Sequence, residues 1–208
     1  MKFILFVEGD TEKRALPSFL KRWLGPKLSQ PVGISPICFN GNDNYLAEVR
    51  KRAELYLRHQ DVIAVIGLLD LYGLSLPSHL SEVYEKYDWA KQDIEKRVSR
   101  SKFRQFFAVH ELEAWLLSDP AIFPSQVMTA LRSAAANPEA VNFDQPPAKL
   151  LSRVYREKLK TGHKIEYKKT ADGTTLFSKL DPEVAYQKCP RLRELLDEML
   201  RLAKDHSQ

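Results

Sequence analysis

Short apolar segments alternate with helical segments through the first half of the chain. Apolar runs with the length and continuity of buried strands occupy residues 2–7, 34–39, 61–70 and 103–109. Helical segments follow the first three runs at residues 11–24, 43–59 and 79–99, and a fourth begins at 111–117. Asp10 or Thr11 is expected to cap the first helix. This order predicts an α/β fold with an open, mostly parallel sheet and helices on both faces.

The pattern changes after Asp119 and Pro120. The segments that follow are a helix (121–136), a linker (137–147), a basic helix (147–160), a turn-rich stretch (162–173) and a final helix (190–204). We therefore expect residues 1–120 to form the α/β core. Residues 121–208 are expected to form a mainly helical C-terminal extension that packs on this core, because so short a segment buries little surface alone.

Composition narrows the class of protein. The 208 residues are 44% hydrophobic, which is enough for a full core. No apolar stretch approaches the roughly 18 residues that span a bilayer, and the N-terminus has no basic leader with a cleavage site. Cys38 and Cys189 are far apart and lack the spacing of a zinc site or disulfide framework. A cytoplasmic protein is expected.

Positive charge is concentrated in one segment. Residues 149–169 carry a net charge of +6, whereas the remainder of the chain carries −1. Such a segment can contact nucleic-acid phosphates, with Tyr155 and Tyr167 available to stack on bases. The alternative is a solvated helix face without a specific partner. The candidate nucleic-acid-binding residues are Lys149, Arg153 and Arg156.

Carboxylates follow three of the four predicted strands. Glu8 ends the first strand and Asp70 ends the third, while the fourth runs into Glu111 and Glu113. Glu12 lies one helical turn after Glu8 and can point to the same place. Parallel neighbours bring their carboxyl ends to one end of the sheet, where open α/β folds bind ligands. Like charges gathered there repel unless a cation lies among them, and oxygen ligands favour Mg²⁺ or Mn²⁺.

Each of these acids also has a purely structural explanation. Glu8 and Asp70 can cap helices, and Glu111 and Glu113 can complement a helix dipole. Three acidic strand ends favour the metal site. Glu111 and Glu113 would point to nearly opposite sides of a regular helix, so both can bind one ion only if the chain is extended there. His110 is either a proton shuttle or a hydrogen-bonded structural residue.

Taken together, these motifs resemble a known family. Val7–Glu12 is similar to the first motif of the Toprim domain, and Asp70–Gly73 resembles the second, usually an Asp-x-Asp pair. Nearly the whole chain resembles a group of Toprim-like bacterial proteins of poorly defined function, related to the Toprim domains of the overcoming-lysogenization-defect nucleases. Further elements typical of that group are present at His110–Ala114, Pro147–Lys149 and Cys189–Pro190.

The resemblance implies a Toprim-like fold and a nuclease that depends on Mg²⁺ or Mn²⁺. It also implies DNA or RNA as substrate, an ATPase partner, and a role in phage defence or nucleic-acid processing. The catalytic residues would be Glu8, Glu12, Asp70 and Glu113. The metal ligands would be Glu8, Asp70, Glu111 and Glu113, with the choice between the last two left open.

The chain departs from the Toprim pattern at Tyr72, which stands where the second aspartate is usual. Three outcomes are open: Glu111 or Glu113 supplies the missing ligand, the site binds one ion weakly, or it is catalytically silent. In the last case the protein is a regulatory or binding subunit of an ATPase complex. A flavodoxin-like nucleotide-binding domain is disfavoured, because the first turn lacks a phosphate-binding glycine motif.

Overall fold

The computed structural model describes residues 1–140, 145–159 and 166–206. Strands and helices alternate through the first half in the order β1 (Lys2–Val7), α1 (Asp10–Leu24), β2 (Gly33–Cys38), α2 (Asn42–Tyr56), β3 (Val62–Asp70), α3 (Val83–Val98) and β4 (Phe103–Ala108). Six helices follow, namely α4 (Glu113–Leu117), α5 (Ser125–Leu131), α6 (Pro147–Lys158), α7 (Lys169–Lys179), α8 (Pro182–Lys188) and α9 (Pro190–His206). The predicted α/β class with C-terminal helices is confirmed.

The four strands form one parallel sheet in the order β2-β1-β3-β4. In its register Val7 lies beside Cys38 and Leu68, and Asp70 lies beside Ala108. All four strands therefore end on the same side, here called the carboxyl end of the sheet. Strands β1 and β3 occupy the centre, as the continuous apolar run of β3 predicted.

Helices cover both faces of the sheet. On one face, Phe3 and Leu5 of β1 belong to a hydrophobic cluster with residues of α1, α7 and α9. On the other face, Ile4 and Phe6 pack with residues of α2 and α3. Successive residues of a strand point to opposite faces, so β1 is apolar throughout because both of its faces are buried. None of the described helices is both long and apolar enough to cross a bilayer.

The C-terminal half differs from the predictions in three places, the first being helix α8 (Pro182–Lys188), which lies where no element was predicted. The single helix predicted for residues 121–136 is instead the short α5, flanked by 3₁₀ turns at Pro120–Ile122 and Ala134–Ala136. Pro124 accounts for the break, because proline donates no hydrogen bond and disfavours a helical residue before it. The turn-rich stretch predicted for residues 162–173 ends within helix α7, and its part at 162–165 lies outside the described residues.

The predicted cap of helix α1 is also wrong. Gly9, not Asp10 or Thr11, is the N-cap residue, and it makes no side-chain cap hydrogen bond. The Thr11 hydroxyl instead donates to Oγ1 of Thr170 in α7, over 3.4 Å. The helix begins one residue earlier than expected, at Asp10.

The division into a core (1–120) and an extension (121–208) stays a prediction. Residues of α7 and α9 lie in the same hydrophobic cluster as residues of β1 and α1. Helix α9 also contacts strands β3 and β4. The C-terminal helices therefore complete the layer on one face of the sheet.

Candidate metal centre

Asp70 is the last residue of β3 and lies at the carboxyl end of the sheet. Its Oδ1 atom accepts a hydrogen bond from the backbone N–H of Leu112 over 2.8 Å. A second link joins the same segments, since the N–H of Tyr72 donates to the carbonyl of His110 over 2.8 Å. The chain after β4 is therefore fixed beside the chain after β3.

Glu111 and Glu113 both reach Asp70. Helix α4 begins at Glu113, and Leu112 before it already has helical φ and ψ of −54° and −30°. The expectation that both glutamates could reach one place only in an extended segment is therefore wrong. Each of the three residues offers a carboxylate oxygen, and these atoms lie within 4.8 Å of one another. We call Asp70, Glu111 and Glu113 the acidic trio.

Separate contacts hold the two glutamates of the trio. Oε2 of Glu111 accepts a hydrogen bond from the N–H of Ala148 over 2.8 Å, in the first turn of α6. A helix N-terminus carries partial positive charge, which stabilises a carboxylate there. Oε1 of Glu113 accepts a hydrogen bond from the Tyr167 hydroxyl over 3.2 Å. Both interactions come from the C-terminal half of the chain.

Lys169 lies among the three carboxylates. Its Nζ atom is 3.0 Å from Oδ2 of Asp70, 3.4 Å from Oε2 of Glu113 and 3.9 Å from Oε1 of Glu111. The sequence placed this lysine within the basic segment predicted to bind nucleic acid. The structure corrects that assignment, because the Lys169 ammonium neutralises acids of the protein itself.

Close packing of α7 on α1 brings Lys169 to this place. A Cβ atom added to Gly173 would lie 3.0 Å from the Tyr167 hydroxyl and 3.2 Å from Cγ2 of Thr11. A side chain there would push α7 away from α1 or displace Tyr167. Glycine at position 173 therefore allows the approach that sets Lys169 over Asp70.

Glu8 and Glu12 extend the negative charge toward β1 and α1. Burial, then the charges of Asp70 and Glu12, raises the pKa of Glu8 to about 7. Burial and then Asp70 also raise the pKa of Glu12, which is only 6% exposed. A raised carboxylate pKa means that nearby positive charges and hydrogen-bond donors do not fully replace the hydration that the charged form loses on burial. Burial is the larger cause and neighbouring carboxylates add to it, so these two acids lie in a buried and acidic environment.

The pKa values within the acidic trio have the same origin. Burial is the main cause that raises the pKa of Glu111 and of Glu113, whose side chain is 1% exposed. Burial works against the charged form of Lys169, but Asp70, Glu113 and Glu111 outweigh it and raise the lysine pKa. Lys169 therefore stays protonated, and one ammonium only partly offsets the surrounding acids.

The donors at this site fit a divalent cation. The available groups are carboxylate oxygens, which hard divalent cations prefer. Oε2 of Glu113 is buried and accepts no hydrogen bond from any described residue, and its one charged neighbour is the Lys169 ammonium at 3.4 Å. A buried cluster of this kind can bind a metal ion. Which of the five acids would act as ligands stays a prediction.

The three basic residues predicted to bind nucleic acid lie on the exposed face of one helix. Lys149, Arg153 and Arg156 project from α6 into solvent. Nζ of Lys149 is 3.5 Å from the hydroxyl of Tyr72, two residues after Asp70. The basic face of α6 therefore starts beside the acidic site. Two other residues of the basic segment, Lys160 and Lys164, lie outside the described residues.

The predicted stacking of nucleic-acid bases on two tyrosines is wrong. Tyr155 is 6% exposed and Tyr167 is 7% exposed, and both belong to the hydrophobic cluster. Their rings pack edge to face with centroids 5.8 Å apart. The hydroxyl of Tyr167 is used internally, as a donor to Glu113.

The profile of a protein family described as a domain of unknown function, DUF4276, matches residues 7–200. The chain belongs to this family. The resemblance to a family of poorly defined function that covers nearly the whole chain is thereby confirmed. Among curated proteins, none matches the chain.

Two solved structures similar to this family member come from OLD proteins. The C-terminal region of the Burkholderia pseudomallei OLD protein has a TM-score of 0.49 and 17% identity, and the match covers 95% of this chain and 98% of that one. The C-terminal region of the Xanthomonas campestris pv. campestris OLD protein, phased with mercury, has a TM-score of 0.48 and 14% identity, with 99% and 98% covered. Identities this low carry no information about a shared activity.

His110 is placed as a structural residue. Its side chain is 2% exposed, and burial, followed by the charge of Lys86, lowers its pKa to about 4. The imidazole is therefore neutral near pH 7. This environment does not favour a proton shuttle, which works best with a pKa near the working pH.

Lys169 and Tyr167 have site roles that the sequence did not predict. Both contact Glu113, and Lys169 pairs with Asp70, which is 99 positions earlier in the chain. Gly173 was the available signal, since a glycine within a helical run marks a close approach. It was interpreted instead as part of a turn.

Proposed function

We propose that this protein is a nuclease that depends on Mg²⁺ or Mn²⁺ and hydrolyses phosphodiester bonds of DNA or RNA. The observation that carries the proposal is that carboxylate oxygens of Asp70, Glu111 and Glu113 lie within 4.8 Å of one another at the carboxyl end of the sheet. The charges of Asp70 and Glu111 also raise the pKa of Glu8. Structural capping alone gives no reason for acids that follow two neighbouring strands to meet, with a third strand's acid, Glu8, near enough for Asp70 to raise its pKa.

In this proposal, each acid has a part set by its position. Glu8 and Asp70 bind the ion, together with Glu111 or Glu113, and Glu12 completes the shell or orients water. A bound divalent ion polarises a phosphoryl oxygen and lowers the pKa of a bound water. The hydrogen bonds from Leu112 to Asp70 and from Tyr167 to Glu113 hold these carboxylates in fixed orientations.

The basic face of α6 would hold the substrate. Lys149, Arg153 and Arg156 form an exposed positive stripe that begins beside Tyr72. Contacts to phosphates give affinity with little sequence preference. In this arrangement the nucleic acid runs along α6 and places one phosphate, contacted by Lys149, near Asp70.

The biological setting follows from the sequence resemblance. Toprim-like proteins of this kind are often encoded beside an ATPase. We propose that this protein acts with such an ATPase partner in phage defence or nucleic-acid processing.

A second function has specific support. Tyr72 replaces the second aspartate of the Toprim pattern, and Lys169 already neutralises part of the acidic trio. Both features favour a non-catalytic regulatory or binding subunit of an ATPase complex. The presence of Glu8, Glu12 and Asp70 favours the enzyme.

A cleavage assay separates the two functions. The purified protein is incubated with plasmid, single-stranded DNA and RNA, in Mn²⁺, Mg²⁺ or EDTA, with and without the ATPase encoded beside it. We expect cleavage of at least one substrate that Mn²⁺ or Mg²⁺ supports and EDTA abolishes. Absence of cleavage under every condition, with a change in the ATPase rate on adding this protein, would establish the regulatory function instead.

Replacing Lys149, Arg153 and Arg156 together with glutamine should weaken nucleic-acid binding. Neutralising a phosphate releases counterions, so the log–log salt slope should become shallower by about 0.9 for each duplex phosphate that the variant no longer neutralises. Binding of a duplex is measured by fluorescence anisotropy across a series of salt concentrations. Mn²⁺ affinity should not fall, because none of the three residues is a proposed ligand and the charge of Lys149, beside Tyr72 and Glu111, opposes a cation at the acidic site.

A control triple keeps the change in net charge the same. Lys51, Arg58 and Lys96 are exposed on or just after α2 and α3, toward the end of the sheet opposite the acidic site. Their replacement with glutamine should leave the slope within error of the wild type. If both triples flatten the slope equally, the effect comes from net charge, and α6 is an ordinary solvated face.

A further inference from the structure

We infer that the loop after β3 binds an unpaired nucleobase in a groove beside the acidic site, with the ring of Tyr72 stacked on the base. The inference rests on the proposed nuclease function and adds the class of substrate, which is single-stranded nucleic acid. It also gives a role to Tyr72, which stands where the second aspartate of the Toprim pattern is usual.

The groove lies along the loop between β3 and α3, and we call it the Tyr72 groove. Its volume is about 370 Å³, within the range of roughly 300–1,000 Å³ that is typical of small-ligand sites. Four leucines, one proline and one tyrosine provide most of its lining. They are Leu71, Tyr72, Leu74, Leu76, Pro77 and Leu80. A mainly apolar surface with an aromatic ring accepts the flat face of a nucleobase.

Tyr72 connects this groove to the acidic site. It comes two residues after Asp70, and its N–H donates to the carbonyl of His110 over 2.8 Å, which fixes the backbone there. Its side chain is half-buried. The next residue, Gly73, has a φ of +89°, which side chains disfavour, so the chain can turn directly after Tyr72. A nucleotide whose base contacts Tyr72 therefore has its backbone beside the acidic site.

The charges around the groove fit a nucleotide better than a purely apolar ligand. Lys86 lines the groove, and none of the described lining residues is acidic. Nζ of Lys149, proposed above to contact a phosphate, donates to the Tyr72 hydroxyl over 3.5 Å and lies 5.8 Å from the centre of its ring. An aromatic ring with lysines near it matches a base and the phosphates that flank it.

Only an unpaired base can stack on Tyr72. In a duplex each base is paired and covered by its neighbours, and extracting it costs free energy that a single strand does not require. The basic face of α6 contacts phosphates and therefore binds either form. The Tyr72 groove consequently adds affinity for single strands and not for duplexes.

Binding of matched probes tests the inference. Fluorescence anisotropy in EDTA, where nothing is cleaved, measures the affinity of the full chain for a labelled single-stranded DNA oligonucleotide and for its duplex. Tyr72→Leu keeps an apolar side chain and removes the ring. It should weaken single-strand binding about tenfold, the usual size of a lost base–aromatic stack, and leave duplex binding within about twofold. Leu80→Gln, which makes the groove polar, should also weaken single-strand binding alone.

Two further variants are controls. Tyr72→Phe keeps the ring, and Tyr84→Leu removes an aromatic ring that is 56% exposed on α3 and outside the groove lining. Both should bind the single strand within about twofold of the wild type. Unchanged single-strand affinity in Tyr72→Leu or Leu80→Gln would overturn the inference. So would equal losses for both probes in a variant that circular dichroism shows to be folded. If Tyr72→Leu does not fold, Tyr72→Gln takes its place.

The outcome is separable from the proposed nuclease function. A wild type that cuts no nucleic acid, but whose Tyr72→Leu variant loses only single-strand affinity, contradicts the nuclease and leaves the base site standing. A wild type that cuts nucleic acid, with unchanged single-strand affinity in Tyr72→Leu, contradicts the inference and leaves the nuclease standing.

Discussion

Asp70→Asn is expected to lower the rate of metal-dependent cleavage by at least about 100-fold while the protein stays folded. Removing a residue that only supports a metal ligand already costs roughly 10–100-fold, and Asp70 is a proposed direct ligand. Asparagine keeps the volume and can still accept the hydrogen bond from Leu112 through its carbonyl oxygen. It loses the charge that pairs with Lys169 and would bind the ion. The rate is measured at saturating Mn²⁺, with circular dichroism to check folding.

The same strand provides the control for this prediction. Asp61 precedes β3 at the opposite end of the sheet, where it pairs with Lys2 at the surface. Asp61→Asn is the same chemical change and should leave the rate within about twofold, as expected for a surface site. Glu8→Gln should show a loss similar to that of Asp70→Asn. Wild-type rates in both Glu8→Gln and Asp70→Asn would make these acids structural.

Gly67→Ala is expected to destabilise the protein by about 3 kcal/mol or more, since overpacking costs about 1–3 kcal/mol and a broken buried hydrogen bond about 1–3 kcal/mol. Gly67 lies in the middle of β3, and a Cβ atom there would collide with the Tyr45 hydroxyl and with Oε1 of Gln105. Those two groups are buried and hydrogen-bonded to each other over 2.6 Å. The methyl group would force them apart. Urea unfolding measures the loss in free energy of unfolding.

Gly25→Ala is the matched control for this change. Gly25 has helical φ and ψ, and nothing lies within 4 Å of a Cβ atom added to it. Alanine there should be neutral or stabilise by up to about 1 kcal/mol, because it restricts the unfolded chain. In a Gly67→Ala background, Tyr45→Phe should recover part of the loss by removing the hydroxyl. Equal stability of the Gly67→Ala and Gly25→Ala variants would contradict the collision.

Much of the fold could be predicted from the local pattern of apolar and polar residues. Strand β3 was predicted within one residue, because its eight consecutive buried positions require an apolar run whichever face each residue meets. Glu8 and Asp70 were placed at the carboxyl end of the sheet for the same reason, since each stands where such a run stops. That Glu111 and Glu113 both reach Asp70 could not be predicted, because it depends on how the chain around Leu112 is held beside Asp70.

Helix α7 shows why the rest could not be predicted. Its sequence contains Gly173, four threonine or serine residues and one aspartate, all weak helix formers. Local propensity therefore indicated a turn. The helix forms because its apolar side, including Leu176 and Phe177, is buried in the cluster that also contains Phe19 of α1. Packing across more than 150 positions of sequence outweighed the local preference.

The sequence by itself determined the α/β order, the parallel sheet and the end of it at which the acids stand, because these follow from the spacing of apolar residues along each segment. Only the tertiary structure decided how the charges at that end are arranged. Lys169 and the acids it pairs with are 56 to 99 positions apart, and ion pairs over such separations leave no periodic signal in the chain. The same packing buries Tyr155 and Tyr167 and places Lys169, predicted to lie on a substrate surface, within the acidic site. The role of a charged side chain depends on the groups that surround it in space.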